Sequence, residues 1–133
     1  VLMNSKAFQD SYPDDLSQCY GCGRCNPHGL QIKSYWEGDE AVCRYTPEPY
    51  HTAIPGYVYG GLIASLIDCH STGTASAAAS RTDASAEGAD PVVRFLTASL
   101  HVNYLALPRS ARRWKSVPLS KKSKAARWWC PLG

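Results

Sequence analysis

The clearest pattern in the chain is a stretch of helical spacing. Leu62, Ile63, Leu66 and Ile67 recur as the apolar face of a helix does, and Cys69 falls on the same side. Gly60-Gly61 opens this helix, which is expected to fade near Ala79 or Ser80. Its other side carries Gly61, Ser65, Asp68, Thr72, Ala75 and Ala79, a small and polar face with one acid in its middle. Before the helix, Leu30–Trp36 and Ala41–Thr46 are rich in β-formers, and Glu37-Gly38-Asp39-Glu40 joins them as a hairpin turn. Pro47 to Pro55 holds three prolines and reads as a loop. Residues 1–18 read as a polar lead-in with a turn at Tyr12-Pro13-Asp14-Asp15, followed by a Gly/Cys-rich loop from Cys19 to Leu30. Beyond the helix, a loop is expected from Thr82 to Pro91. A long strand is expected over 92–105, in which Leu100, Val102 and Tyr104 alternate with His101, Asn103 and Leu105.

Composition fits one globular domain. The 133 residues are 44% hydrophobic and 19% charged, which excludes a disordered chain and allows a real core. No run of 18 apolar residues is present, so no membrane span is expected. Val1 to Asp10 has no apolar signal core, so the expectation is a cytoplasmic protein whose six cysteines are reduced thiols.

Charge divides the chain sharply. Of 14 Lys/Arg, eight lie from Arg109 onward, where there is no acid; six then face all 11 acids before it, a body of −5 and a tail of +8. Residues 109–133 show no strand alternation, although an α+β domain of the kind argued below needs further strands there. Plausible GC-rich codons for this segment, read in a shifted frame, spell a sequence resembling such strands. The tail is therefore expected to be a frameshifted version of the last strands, starting near Pro108, and an unbroken reading frame on resequencing would refute this. The alternative is a genuine basic arm with Trp114, Trp128 and Trp129 as stacking groups for nucleic acid. That reading would leave a sheet edge unpaired.

Asp68 is the leading candidate for chemistry. Asp has poor helix propensity, and the small residues around it let another backbone come close, which would partly desolvate the acid and suit it to general-base work. A solvated acid on an exposed face is the plain alternative. Gly60 and Gly61 sit where a helix N-terminus presents unpaired N–H donors, a setting suited to an oxyanion. A tight turn into the helix would also explain them. Eight residues separate Gly60 from Asp68, about 12 Å along the axis. One carbonyl can meet both only if they come from two antiparallel helices across a twofold axis.

The run from Pro55 to His70, Pro-Gly-Tyr-Val-Tyr-Gly-Gly-Leu-Ile-Ala-Ser-Leu-Ile-Asp-Cys-His, resembles the central signature of the PaaI-type hotdog-fold acyl-CoA thioesterases. Cys19-Tyr-Gly-Cys-Gly-Arg-Cys-Asn-Pro-His-Gly-Leu30 resembles the lead-in of one branch, and Thr97 to Tyr104 resembles the strand after the helix. The resemblance covers about residues 19–108. It implies an α+β hotdog domain over 19–108, a curved antiparallel sheet wrapped around the central helix, assembled as a homodimer or homotetramer. Asp68 would be general base or nucleophile, and Gly60 with Gly61 would polarise the thioester carbonyl. Tyr59, His51, Ser65, Thr72 and Thr97 would line the path of an acyl-CoA substrate. No cofactor, nucleic-acid partner or membrane partner is implied. Tyr59 stands where the family has His, and a Tyr is no near-neutral base. A non-catalytic acyl-CoA binder is therefore the second reading, and a related hotdog dehydratase loses its obvious His. Cys19, Cys22 and Cys25 with His28 have spacing that suits zinc, but they form one short cluster rather than two ligand pairs. The expectation is no metal there, with a small metal-binding module as the remaining alternative.

Overall fold

The computed structural model describes residues 6–83, 93–109, 114–117 and 127–129, the last two segments by their backbone. It is an α+β arrangement of one long helix and short antiparallel sheets. The strands are β1 (Ser34–Glu37), β2 (Glu40–Tyr45), β3 (Thr52–Ile54), β4 (Tyr57–Val58), β5 (Trp114–Val117) and β6 (Arg127–Trp129). The helix, α1, spans Gly60–Asp83. One sheet has the order β1-β2-β5-β6, and β3 and β4 form a separate pair.

The β1–β2 hairpin forms where the pattern puts it. Glu37 pairs with Glu40 across Gly38-Asp39, and Gly38 takes φ 61°, a left-handed value that glycine adopts without penalty. The first strand starts at Ser34 rather than Leu30, because Gln31 stands at φ 55° and interrupts extended backbone. The Gln31 amide is held there by the carbonyls of Gly23 at 2.8 Å and Asn26 at 2.7 Å.

The core lies between α1 and the hairpin. Leu62, Ile63, Leu66 and Cys69 of the helix pack with Ile32, Cys43, Val58 and Cys22. Leu66 and Ile32 are fully buried, and each such side chain contributes about 1.5–3 kcal/mol of hydrophobic stabilisation. The polar lead-in turns out to belong to this core. Two 3-10 turns, Phe8–Ser11 and Asp14–Leu16, bring Ala7, Phe8, Gln9, Tyr12 and Ser17 into buried positions. Gln9 accepts the Ser34 N–H at 2.9 Å, and the Phe8 ring meets Trp36 at 5.0 Å. Side-chain hydrogen bonding across a distant segment is invisible to hydropathy, which is why this lead-in reads as surface.

Three further expectations are corrected. The helix runs past Ser80 to Asp83, with the Arg81 guanidinium 3.8 Å over the Trp36 ring of β1, a cation–π contact available only in the folded chain. The proline-rich stretch 47–55 contains β3, which turns at Gly56 (φ 85°) into β4. The expected strand 92–105, described from residue 93, makes no ladder among the described residues. The segment runs beside the helix instead, and among the described residues strand-like backbone pairing comes just past its end, at Val58 N–H to Pro108 carbonyl (2.8 Å) and the Tyr57–Arg109 bridge.

Two stretches of the tail extend the sheet. Trp114–Val117 pairs with β2 through Arg44↔Lys115 and Tyr45↔Trp114, and Arg127–Trp129 pairs with β5. β-forming Trp and Val in these segments suit a pleated ladder even without clean alternation. The edge of β2 is thus paired. The loop from Thr82 to Pro91 lies mostly outside the described residues, as do the side chains of Trp114, Trp128 and Trp129. Among the described residues, no helix is long and apolar enough to cross a membrane.

Candidate active site

The site is organised by α1 and the segment that follows it. Leu62, Ile63, Leu66 and Cys69 turn one face of α1 to the core, which leaves Gly61, Ser65, Asp68 and Thr72 half-buried on the other. Residues 93–104 run antiparallel along the helix. Three hydrogen bonds define this course: Ser76 Oγ donates to the Val93 carbonyl, Thr97 Oγ1 donates to Asp68 Oδ1, and Tyr104 Oη donates to the Gly60 carbonyl at 2.8 Å. The Thr97 hydroxyl fixes one carboxylate oxygen and leaves the other available.

At the helix start, Tyr59, Gly60, Gly61 and Tyr104 border a cleft of about 560 Å³ whose far wall is Leu105–Pro108. The first amides of a helix have no intrahelical acceptor; in α1 the Leu62 N–H is taken by the Tyr59 carbonyl at 3.0 Å, so the Gly60 and Gly61 amides are the ones suited to a carbonyl oxygen. Gly60 has Tyr104 Oη 3.4 Å from where a Cβ would stand. Gly61 is more constrained, since an added Cβ would come within 2.4 Å of the Tyr59 ring. The Tyr59 side chain, 59% exposed, therefore covers the second glycine.

Ser65 and Thr72 share the Asp68 face, but their hydroxyls donate to helix carbonyls, Ser65 to Gly61 at 2.9 Å and Thr72 to Asp68 at 3.0 Å. His51 is held apart from the cleft by its own loop. Its Nδ1 accepts the Glu48 N–H at 3.0 Å, and its carbonyl accepts the Tyr59 N–H at 3.0 Å, so it shapes the approach to the helix. Asp68 and Gly60 are not brought together within one chain, as their separation along a single helix requires.

No family model matches the chain, and no curated protein matches it. The crystal structure of a thioesterase superfamily protein from Shewanella loihica PV-4 is 47% identical, covering 69% of this chain and 70% of that one, with a TM-score of 0.55. The chain belongs to the thioesterase superfamily.

Within this superfamily member, sequence reasoning missed two features. Tyr104 reaches the Gly60 carbonyl from 44 residues away; its alternation with Leu100 and Val102 was the available signal, but not the partner. The second feature is the cysteine cluster. Cys25 and His28 do not join Cys19 and Cys22; Cys69 of α1 does, and the three sulfurs lie within 4.8 Å of one another. Cys22 is drawn down to about 6 by a hydrogen bond from Cys69, outweighing burial, with Arg94 adding positive charge nearby. Cys69 is pushed up by the same contact and by burial. The buried Cys43 thiol is pushed up to about 12 by desolvation. His70, fully buried with Nδ1 3.0 Å from Ser34 Oγ, is held down at about 4 by burial.

Proposed function

We propose that this protein is an acyl-CoA thioesterase of hotdog architecture, whose active site forms between two copies of the chain. Water, activated by Asp68, adds to the thioester carbonyl; the oxyanion is met by the Gly60 and Gly61 amides of the partner copy; the C–S bond breaks, leaving free acid and CoA thiol. Direct attack by the Asp68 carboxylate, followed by hydrolysis of the anhydride, gives the same products. The observation that carries this reading is the pairing of a half-buried Asp68, oriented by Thr97, with a glycine-lined helix start in a thioesterase superfamily member.

Two further features support a shared site. Residues 93–107 expose Leu96 at 90% and Leu105 at 95%, together with Phe95, Leu100 and Leu107, more apolar surface than a lone small domain normally carries. Among the described residues, 94–107 of this segment make no strand ladder, which leaves backbone groups that can extend a sheet into a second copy. The cleft beside Gly60 is apolar along Leu105–Pro108, as a pantetheine or acyl chain requires.

The test is turnover of aryl, short-chain and long-chain acyl-CoAs by wild type, Asp68→Asn and Asp68→Ala. The variants are expected to lose about 10²–10⁴-fold in kcat while keeping fold and oligomeric state. Unchanged hydrolysis would refute the assignment. One observation favours a second reading: the Tyr59 ring over Gly61 leaves less room for an oxyanion there. A non-catalytic acyl-CoA binder would bind tightly without turnover, and Tyr59→Ala would then open the glycine without creating hydrolysis.

A further inference from the structure

Cys19, Cys22 and Cys69 come from two distant parts of the chain and meet at one point. The loop turns tightly there, with the Gly23 N–H bonded to the Cys19 carbonyl at 2.8 Å and the Ile32 N–H to the Gly21 carbonyl at 3.0 Å. This turn sends Cys19 and Cys22 to the same side. Gly21 allows the helix to approach, since a Cβ at that position would lie 2.2 Å from Cys69 Sγ. Cys22 and Cys69 are buried, and Cys19 is partly open.

The spacing of the sulfurs discriminates between possible uses. A disulfide holds its sulfurs at about 2.05 Å. Three thiolates bound at about 2.3 Å to one ion stand roughly 3.8 Å apart in a tetrahedral arrangement and roughly 4.0 Å apart in a trigonal one. Cys19 Sγ and Cys69 Sγ are 3.9 Å apart, and all three sulfurs fall within 4.8 Å. We infer that Cys19, Cys22 and Cys69 form a tris-thiolate site for a thiophilic cation, Zn²⁺ or Cu⁺, that staples the cysteine loop to α1. Soft thiolates select these ions over hard cations such as Mg²⁺. Three thiolates satisfy trigonal Cu⁺ outright, while Zn²⁺ takes water as a fourth ligand on the open Cys19 side. Binding replaces S–H bonds by S–metal bonds and releases the thiol protons to solvent. The site differs from the reading by spacing alone, which grouped Cys25 and His28 with the loop. Cys25 instead accepts from Arg24 at 3.4 Å, and the His28 imidazole does not fall within the group formed by the three sulfurs.

The experiment titrates the reduced full-length protein anaerobically with Zn²⁺ and, separately, with Cu⁺, reading stoichiometry by elemental analysis and thiolate charge-transfer absorption with Co²⁺ as a spectroscopic stand-in for zinc. One ion per chain is expected, with a higher melting temperature when bound. Cys69→Ser and Cys19→Ser should each weaken binding by at least about 100-fold, more than loss of an outer-sphere partner does. Cys25→Ser and His28→Ala should bind as wild type does. Circular dichroism establishes that each variant is folded, and Cys19→Ser, at the partly open position, serves if Cys69→Ser fails to fold. Failure of both ions to bind stoichiometrically overturns the inference. So does binding that survives Cys69→Ser and is lost in Cys25→Ser, which would put the ion within the loop alone. Preference for Cu⁺ over Zn²⁺, or the reverse, identifies the ion.

Discussion

Gly23→Ala should destabilise the protein severely, although the change is one methyl group in a loop. A Cβ on Gly23 would lie 2.5 Å from the Cys19 N, 2.5 Å from the Ser17 O and 2.6 Å from the Cys19 O. All three are backbone atoms, so no rotamer change relieves the contact. The turn must open by several tenths of an ångström at each. Opening it strains two hydrogen bonds of the same turn, Gly23 N–H to Cys19 at 2.8 Å and Cys25 N–H to Ser17 at 3.0 Å. Overpacking costs about 1–3 kcal/mol, and each weakened hydrogen bond adds up to about 1 kcal/mol. The expected loss is about 2–4 kcal/mol, or roughly 8–16 °C in Tm for a chain of this length. Gly38→Ala is the control: φ is 61° but nothing lies within 4 Å, so only the left-handed backbone penalty of about 1 kcal/mol applies. The assay is thermal melting by circular dichroism under reducing conditions with chelator. A drop for Gly23→Ala no larger than that for Gly38→Ala would refute the reasoning.

Other consequences follow from the same geometry. Leu66→Ala, at a position 1% exposed, should lose about 2–5 kcal/mol in denaturant unfolding. Neutral His70 is favoured by folding, so its contribution is present above pH 6.5 and is lost as pH falls toward about 4. The unfolded chain binds the proton first, and stability should fall by about 3 kcal/mol across that window, measured with chelator present. His70→Asn should flatten the slope. Thr97→Val removes the hydroxyl that orients Asp68 and should lower kcat more than it raises KM, while Asp14→Asn, which breaks an exposed pair with Arg24, should change Tm by less than the equivalent of about 1 kcal/mol.

Local pattern carried much of this structure. The helix face of Leu62, Ile63, Leu66 and Cys69, the Gly38 turn and the half-buried Asp68 side all follow from spacing and turn chemistry. What spacing could not supply is pairing between segments distant in sequence. Gln9 enters the core through hydrogen bonds to Ser34, Tyr104 finds Gly60, and Cys69 joins two cysteines 47 and 50 residues before it. The strand expected after the helix failed for a related reason. Its residues have strand character, but they are tied along α1 by hydrogen bonds to Ser76, Asp68 and Gly60 instead of lying against a sheet edge. At the tail, a basic segment that also holds Trp and Val extends the sheet.

Mixing two inactive variants tests the shared site most directly. Asp68→Asn removes the acid, and Gly60→Pro removes an amide donor at a helix start, where proline is tolerated. If each site takes its acid from one copy and its amide from the other, subunit exchange between the two variants restores one intact site in each mixed dimer, and random pairing returns about a quarter of wild-type thioesterase turnover. A mixture as inactive as its components, with exchange demonstrated, would contradict the account.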